Sequence, residues 1–197
     1  MADFKFDPEK HIYTLDGKRL VSATQLIAEA GLSDYSKVNP ELLARAKNFG
    51  DAVHLMVKLF MTEKLDLNTL DPALYGPLQA LEAWYFENGE PQGGQYEVPG
   101  YHPKYLYSGT PDMLFPDIVV DVKTRIYDPL CDPIQLAYYD HMDNNGKRKR
   151  YVLELKQDGS YVYTLANQTK ASSNLAWSRA RYLIDLHNMK EEIKRWK

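Results

Sequence analysis

The chain has one cysteine, Cys131, and therefore no second thiol for an intrachain disulfide. The same absence excludes a four-cysteine zinc site and an iron–sulfur cluster held by this chain's own thiolates. No apolar run is long enough to span a bilayer, and the first ten residues lack the apolar core of a secretory signal. We therefore expect a cytoplasmic protein without a membrane partner, in which Cys131 is a buried or incidental thiol.

The chain also lacks an excess of positive charge. Its 24 basic and 27 acidic residues give a formal net charge of −3, so a nucleic acid would have to meet a local basic patch. With 197 residues and 44% hydrophobic composition, the chain is long enough for one substantial core. Neither an internal repeat nor a low-complexity linker divides it. We expect a single domain over residues 1–197.

Local patterns predict a mixed α/β chain. The Asp16-Gly17 turn predicts an N-terminal β-ribbon within residues 1–21. Helix start signals are found at Ser22 (a capping box with Gln25), Asn39-Pro40, Asp71-Pro72 and Asp132-Pro133. The helix that begins at Asp132-Pro133 is expected to reach about Asn144. Strands are expected near 95–101, 105–115, 118–124, 149–156 and 160–165, and a C-terminal helix is expected over 172–197. A strand, helix, strand order implies a central mixed β-sheet that helices flank.

Residues 109–123 contain two acids that a tight hairpin would bring together. If residues 116 and 117 form a two-residue turn, counting outward sets Asp112 opposite Asp121, about 5 Å away. Side chains alternate along a strand, so Lys123 emerges on the same face. The opposite face carries Ile118, Val120 and Val122, the alternation typical of a sheet with one buried side.

Like charges placed opposite one another destabilise a hairpin, so this pair needs a neutralising partner. A divalent cation is such a partner for two carboxylates. The alternative is that Asp112 ends a strand, Asp121 is solvated and Lys123 pairs with either acid. A longer or bulged turn would shift the pairing by one residue.

Pro111-Asp112 followed by Asp121-Val122-Lys123 resembles the core of the PD-(D/E)xK nuclease superfamily, and the resemblance spans roughly residues 50–165. It implies a restriction-endonuclease-like core of α/β class. It further implies Mg²⁺ or Mn²⁺ held by Asp112, Asp121 and the main-chain carbonyl of Val122. Asp112, Asp121 and Lys123 would then be the catalytic residues, and Lys123 would position or deprotonate the attacking water.

Gln135 and Tyr139 lie four residues apart, so a helix places both on one face. The pair resembles an extra motif of the RecB-like branch of the superfamily, which implies substrate contact or bracing of the site. The alternative is an amphipathic helix with a solvated Gln and a half-buried Tyr.

His54 resembles an additional metal ligand of that branch. The alternative is a core histidine whose hydrogen bonds are satisfied. Glu97 is a candidate additional acid, or an exposed strand residue.

Other groups give weaker signals. The basic candidates for phosphate contacts are the run Lys147–Arg150 and Lys37, Arg45, Lys47 and Arg125, and such runs are often simply solvated. The tyrosines near the sheet that could stack on unpaired bases, or line its surface, are Tyr101, Tyr105, Tyr107 and Tyr127. The remaining histidines, which show no metal spacing, are His11, His102, His141 and His187.

The chain is short and lacks the cluster cysteines of some RecB-like nucleases, so it resembles the compact exonucleases of phages and prophages. The segments His11–Lys18 and Ser22–Ile27 are similar to many such phage sequences. The resemblance implies a metal-dependent exonuclease acting on linear duplex or single-stranded DNA ends, in a bacterial or phage-infected cell. A recombination or annealing protein and further copies of the chain are candidate partners. The alternatives are a sequence- or structure-specific endonuclease, a junction resolvase included, and a catalytically inert DNA-binding protein.

Overall fold

A computed structural model describes residues 2–33, 35–89, 92–143 and 145–196 as a mixed α/β structure. Its helices are α1 (Ala23–Glu29), α2 (Pro40–Met61), α3 (Tyr75–Asn88), α4 (Cys131–His141) and α5 (Lys170–Arg195). Its strands are β1 (Phe4–Asp7), β2 (Ile12–Leu15), β3 (Lys18–Ser22), β4 (Gln95–Tyr96), β5 (Gly100–Tyr101), β6 (Tyr107–Gly109), β7 (Met113–Leu114), β8 (Ile118–Lys123), β9 (Lys149–Leu155) and β10 (Tyr161–Leu165). None of these helices is both long and apolar enough to cross a membrane.

The N-terminal ribbon is formed as predicted, and it is part of a larger sheet. β1, β2 and β3 are antiparallel neighbours, and Leu15 pairs with Lys18 across the Asp16-Gly17 turn. β3 then pairs in parallel with β6, which gives the first sheet the order β1-β2-β3-β6-β5. The ribbon is therefore joined to a strand that lies just before Asp112 in the chain.

The second sheet has the order β10-β9-β8-β7-β4 and contains the acidic hairpin. Met113 pairs with Val120 and Leu114 with Val119, which is the register that a two-residue turn at residues 116 and 117 predicts. β8 and β9 are parallel, and α4 makes the crossover between them. The structure thus has two mixed sheets where the sequence predicts one central sheet.

The two predicted strands before β8 are each broken in the structure. Residues 95–101 form β4 in the second sheet and β5 in the first, and residues 105–115 divide in the same way into β7 and β6. Glu97 interrupts the first of them with a positive φ of 52°. Pro111 interrupts the second because it has no backbone N–H for a ladder. Both interruptions occur beside the acidic hairpin.

Both faces of β8 are buried, so the prediction of one buried side is wrong. Val119 belongs to a cluster with residues of α1, α4 and α5. Val120 and Val122 belong to a second cluster with residues of α2 and α3. The reason is the parallel pairing with β9, since a crossover helix covers the face of the sheet over which it returns.

Helix starts agree with the sequence at α1 and α2, whereas α5 begins at Lys170, two residues before the predicted start. Ser22 and Gln25 form the predicted capping box, and Asn39 caps α2. Asp71 caps a single 3₁₀ turn that leads into α3. The start predicted at Asp132-Pro133, with Asp132 as the cap, is two residues late, because α4 begins at Cys131 after Leu130, and the side chain of Asp128 accepts the N–H groups of both residues. The predicted end at Asn144 lies outside the described residues.

Candidate metal centre

The hairpin brings Asp112 and Asp121 together at its base. Continuing the ladder one residue beyond Met113 and Val120 sets the two acids opposite each other. Both are buried, with 9% and 1% of their surface exposed. The N–H of Val122 donates to Asp112 Oδ2 at 2.6 Å, which fixes that carboxylate against β8.

Asp112 also joins a histidine from α2 and an acid from the turn after β4. His54 Nδ1 lies 2.9 Å from Asp112 Oδ1 and 3.9 Å from Glu97 Oε1. One potential ligand atom from each of these three residues lies within 4.8 Å of the other two. His54, Glu97 and Asp112 therefore form a group that could hold a metal ion.

An unusual backbone conformation carries Glu97 into this group. Its φ of 52° lies in the left-handed region, which residues other than glycine seldom adopt. Its N–H donates to the carbonyl of Asp112 at 3.0 Å, so the two acids are tied through the main chain as well. Strained backbone of this kind is typical of functional sites. Glu97 is thus not the exposed strand residue of the alternative interpretation.

A chain of polar contacts links Asp121 to α4. Lys123 Nζ lies 2.6 Å from Asp121 Oδ2 and donates to Gln135 Oε1 at 3.1 Å. Gln135 Nε2 in turn donates to Asp121 Oδ1 at 3.2 Å and to the Tyr139 hydroxyl at 3.0 Å. Gln135 and Tyr139 therefore brace the acid and the lysine from one helix face, and both are buried. Among the described residues, Asp121 Oδ2 has no aligned hydrogen bond, and its contact with Lys123 is an ion pair.

The electrostatics of these side chains reflect their crowding. The negative charge of Asp112 raises the pKa of His54 to about 9. Burial alone would raise the pKa of Asp112, but the charge and hydrogen bond of His54 leave it below its usual value. Burial raises the pKa of Asp121 to about 6, despite the attraction of Lys123. Burial also raises the pKa of Glu97, and the charge of Asp112 adds to that effect.

We call Glu97, Asp112 and Asp121, together with His54 and Lys123, the acidic cluster. All five line one open cavity of about 810 Å³. The donor set fits a divalent cation, because carboxylate oxygens dominate it and an imidazole nitrogen adds to them. The buried Asp121 Oδ2, which accepts no aligned hydrogen bond, retains capacity for a further partner. Val122 contributes its N–H to Asp112, while a ligand role for its carbonyl stays a prediction.

Neither the known protein-family models nor the curated proteins match this chain. The chemistry of the site is therefore inferred from its own residues.

The predicted phosphate-binding residues are partly engaged elsewhere. Arg148 and Arg150 are buried and paired with Asp140, so the interpretation of residues 147–150 as an exposed basic run is wrong for both arginines. Arg125 forms a two-point ion pair with the buried Asp132. The three remaining candidates on the α2 side are exposed and lie outside the cavity lining, namely Lys37, Arg45 and Lys47.

The remaining sequence candidates serve the core more than the cavity. Tyr107 is fully buried and donates its hydroxyl to the Tyr138 carbonyl. Cys131 is buried, as predicted, and its thiol contacts the Leu32 carbonyl. Tyr101, Tyr105 and Tyr127 are partly buried and do not line the cavity of the acidic cluster.

Sequence reasoning missed a second set of cavity residues, which come from the N-terminal strands. Phe6, His11 and Tyr13 line the same cavity as the acidic cluster, and so does Lys58 of α2. The parallel pairing of β3 with β6 brings the ribbon there, and long-range pairing of this kind leaves no local signal.

Proposed function

We propose that this protein is a Mg²⁺-dependent deoxyribonuclease with a restriction-endonuclease-like core, of the RecB-like branch of the PD-(D/E)xK superfamily, and that it acts as an exonuclease. The observation that carries the proposal is the pair of opposed carboxylates with Lys123 between Asp121 and Gln135 in an open cavity. His54 and Glu97 complete a set of metal ligands beside that pair.

Glu97, Asp112 and His54 would hold the cation, and Asp121 would share it. A bound divalent cation neutralises a scissile phosphate and lowers the pKa of a coordinated water. Without a cation the three carboxylates would repel the phosphate, so binding of the substrate and of the cation are coupled. In the absence of metal, His54 carries a proton on Nδ1, the ring nitrogen that faces Asp112 and Glu97. His54 must lose that proton to become a metal ligand through this nitrogen.

Lys123 supplies the positive charge that phosphoryl transfer needs beside the metal ligands. Its side chain is largely buried, with 14% of its surface exposed, and its ammonium is held by Asp121 and Gln135, so it is preorganised rather than freely mobile. A fixed ammonium of this kind orients an attacking water and offsets charge that develops on the phosphate oxygens. The Tyr139 hydroxyl accepts a hydrogen bond from Gln135 and would position that side chain, so Tyr139 would act on the reaction through Gln135.

Two further functions remain compatible with the same residues. A sequence- or structure-specific endonuclease would use the same acids and lysine on internal sites. A catalytically inert DNA-binding protein would keep the fold, but it would have no need for the opposed acids, whose burial is unfavourable without a cation. The acids and the lysine are all present and held in contact, which favours a nuclease over the inert protein. The exonuclease is preferred to the endonuclease on the resemblance of the sequence to compact phage exonucleases.

The test is digestion of end-labelled linear duplex, single-stranded and closed circular DNA with Mg²⁺, with Mn²⁺ and with EDTA. The exonuclease predicts metal-dependent loss of linear substrates and no nicking of the circle. Cleavage of the circle would favour the endonuclease. Absence of cleavage of every substrate by folded protein would reject the nuclease and favour the inert binding protein. Lys123→Ala should lower turnover strongly, and Lys156→Ala, which removes an exposed lysine outside the cavity, is the matched control.

A further inference from the structure

One wall of the cavity is built by aromatic rings that the proposed chemistry does not use. Phe6 and Tyr13 are stacked, with ring centroids 4.6 Å apart and planes inclined by 24°. His11 stands edge-on to both, at centroid distances of 5.5 Å and 5.3 Å. All three residues line the cavity of the acidic cluster. We call these three residues the aromatic corner.

Hydrogen bonds fix the aromatic corner to the strand that leads into the acidic cluster. The hydroxyl of Tyr13, which is 1% exposed, lies 2.8 Å from Thr110 Oγ1 and 3.2 Å from His11 Nε2. Thr110 also lines the cavity and precedes Asp112 by two residues. Side-chain hydrogen bonds therefore join the corner to the strand segment that leads to the acids, and both line the same cavity.

His11 is the exposed member of the corner, and its backbone is strained. Its φ is 51°, in the left-handed region that side chains other than glycine seldom occupy. Phe6 is half-buried and Tyr13 is buried, whereas His11 presents its ring to solvent in the cavity. Burial of part of the ring, aided by the charge of Lys47, lowers the pKa of His11, so the ring is neutral near pH 7. A neutral, exposed ring backed by two others is a surface for stacking.

We propose that the aromatic corner binds an unpaired nucleobase of DNA, with His11 as the ring on which the base stacks, while the attached phosphodiester lies at the acidic cluster. This inference rests on the proposed function and names the part of the substrate that the cavity recognises. Stacking on a flat ring tolerates every base, since each has a π-face. A base inside a duplex is already covered on both faces, so the corner selects single strands and frayed ends. Lys58, in the same cavity, offers a cation to the adjoining backbone.

Three variants separate stacking from folding. Asparagine is among the residues that tolerate positive φ best, so His11→Asn removes the ring with little change of backbone conformation. His11→Phe restores a ring without a titratable nitrogen. Phe86→Ala is the matched control, because Phe86 is an 80% exposed aromatic residue of α3 that does not line the cavity.

The experiment measures binding by fluorescence anisotropy with Ca²⁺ in place of Mg²⁺, so that hydrolysis does not consume the probe. The probes are a single-stranded octathymidylate and an octamer of the same backbone with abasic residues. We expect the wild type and Phe86→Ala to bind octathymidylate about tenfold more tightly than the abasic octamer. His11→Asn should lose that preference, and His11→Phe should recover it.

Two results would overturn the inference: equal binding of both octamers by the wild type, or an undiminished preference in His11→Asn. The readout does not require turnover, so it is independent of the nuclease assay. If the protein hydrolyses DNA but His11→Asn leaves the preference for octathymidylate unchanged, the role of the aromatic corner is rejected and the nuclease is retained. A base preference that depends on His11, in a protein that hydrolyses no DNA, would retain the corner and reject the nuclease.

Discussion

Two of the groups of largely buried charges among the described residues differ in how far their charges are satisfied. The acidic cluster has three carboxylates against one lysine and one histidine, and it faces an open cavity. The second group, which we call the arginine cluster, consists of Asp140, Asp143, Arg148 and Arg150. Its two acids and two arginines balance, and the described residues around it satisfy most of its polar atoms.

The arginine cluster holds the segment after α4 in place. Arg148 Nε donates to the Phe115 carbonyl at 2.7 Å, and Arg150 Nε donates to Asp140 Oδ2 at 2.9 Å. Asp140 is completely buried and also accepts the N–H of Arg148. One nitrogen, Arg150 Nη2, has no hydrogen-bond partner among the described residues. A balanced set of charges, three of whose four members are buried, indicates a structural role, whereas an excess of acids beside a cavity indicates a site for a ligand.

The largest expected effect is loss of stability when the arginine cluster is broken. Asp140→Asn leaves two buried arginines without their shared acid, and removing one partner of a buried ion pair costs about 3–5 kcal/mol. Urea unfolding at pH 7 measures this change. Asp143→Asn is the matched control, since the Asp143 side chain is 48% exposed and its loss should cost about 0–1 kcal/mol. Equal effects of the two variants would contradict the structural role of Asp140.

The second prediction concerns turnover in the acidic cluster. Asp121→Asn should slow DNA hydrolysis by at least about 10²–10³-fold, because it weakens the hold on a cation that would stabilise the charge developing on the phosphate. Its free energy of unfolding at pH 7 should be unchanged or higher, because burial already disfavours the charged form of Asp121. Initial rates on linear DNA and urea unfolding test the two parts. A fully active, folded variant would remove Asp121 from the site.

A third prediction concerns stabilisation by metal. A cation that binds only the folded state adds about 2.7 kcal/mol to the free energy of unfolding at 100 times its dissociation constant. We expect Mn²⁺ to raise the melting temperature of the wild type and of Asp143→Asn, and to have little effect on Asp112→Asn. Differential scanning fluorimetry at several Mn²⁺ concentrations measures these shifts. A similar shift in Asp112→Asn would place the binding site elsewhere.

The smallest effect is a pH dependence beside the arginine cluster. Burial, with the nearby charge of Arg150, lowers the pKa of His141 to about 4, below its usual value of 6.5. Between pH 6.5 and 4 the unfolded chain therefore binds a proton that the folded chain does not, and stability falls as the pH falls. His141→Phe should lose less stability than the wild type over this window, and urea unfolding at pH 7, 5.5 and 4 tests it. Parallel curves for the two proteins would show that His141 does not titrate in this way.

Local signals predicted the parts of the site that lie close together in sequence. The length of the turn at residues 116 and 117 gave the register of Asp112 against Asp121, and alternation gave the position of Lys123. The i, i+4 spacing placed Gln135 and Tyr139 on one helix face, where the structure has them in contact. Start signals likewise gave α1 and α2, because caps depend on a few neighbouring residues.

The parts that depend on distant pairings were not predictable in this way. The division into two sheets follows from breaks at Glu97 and Pro111, and a sequence pattern of strand-forming residues does not reveal a single left-handed residue. Arg148 and Arg150 read as a solvated run because their acidic partners lie on another element. The contribution of His11 to the cavity depends on the parallel pairing of β3 with β6, which joins residues 86 positions apart in the chain.

The most direct test of the contrast between the two clusters is a Mn²⁺ titration followed by electron paramagnetic resonance, in which bound Mn²⁺ loses the signal of the free ion. The wild type and Asp143→Asn should each remove at least one equivalent of free Mn²⁺, and Asp112→Asn should remove markedly less. Equal binding by all three proteins, or no binding by the wild type, would contradict the assignment of the acidic cluster as a metal centre.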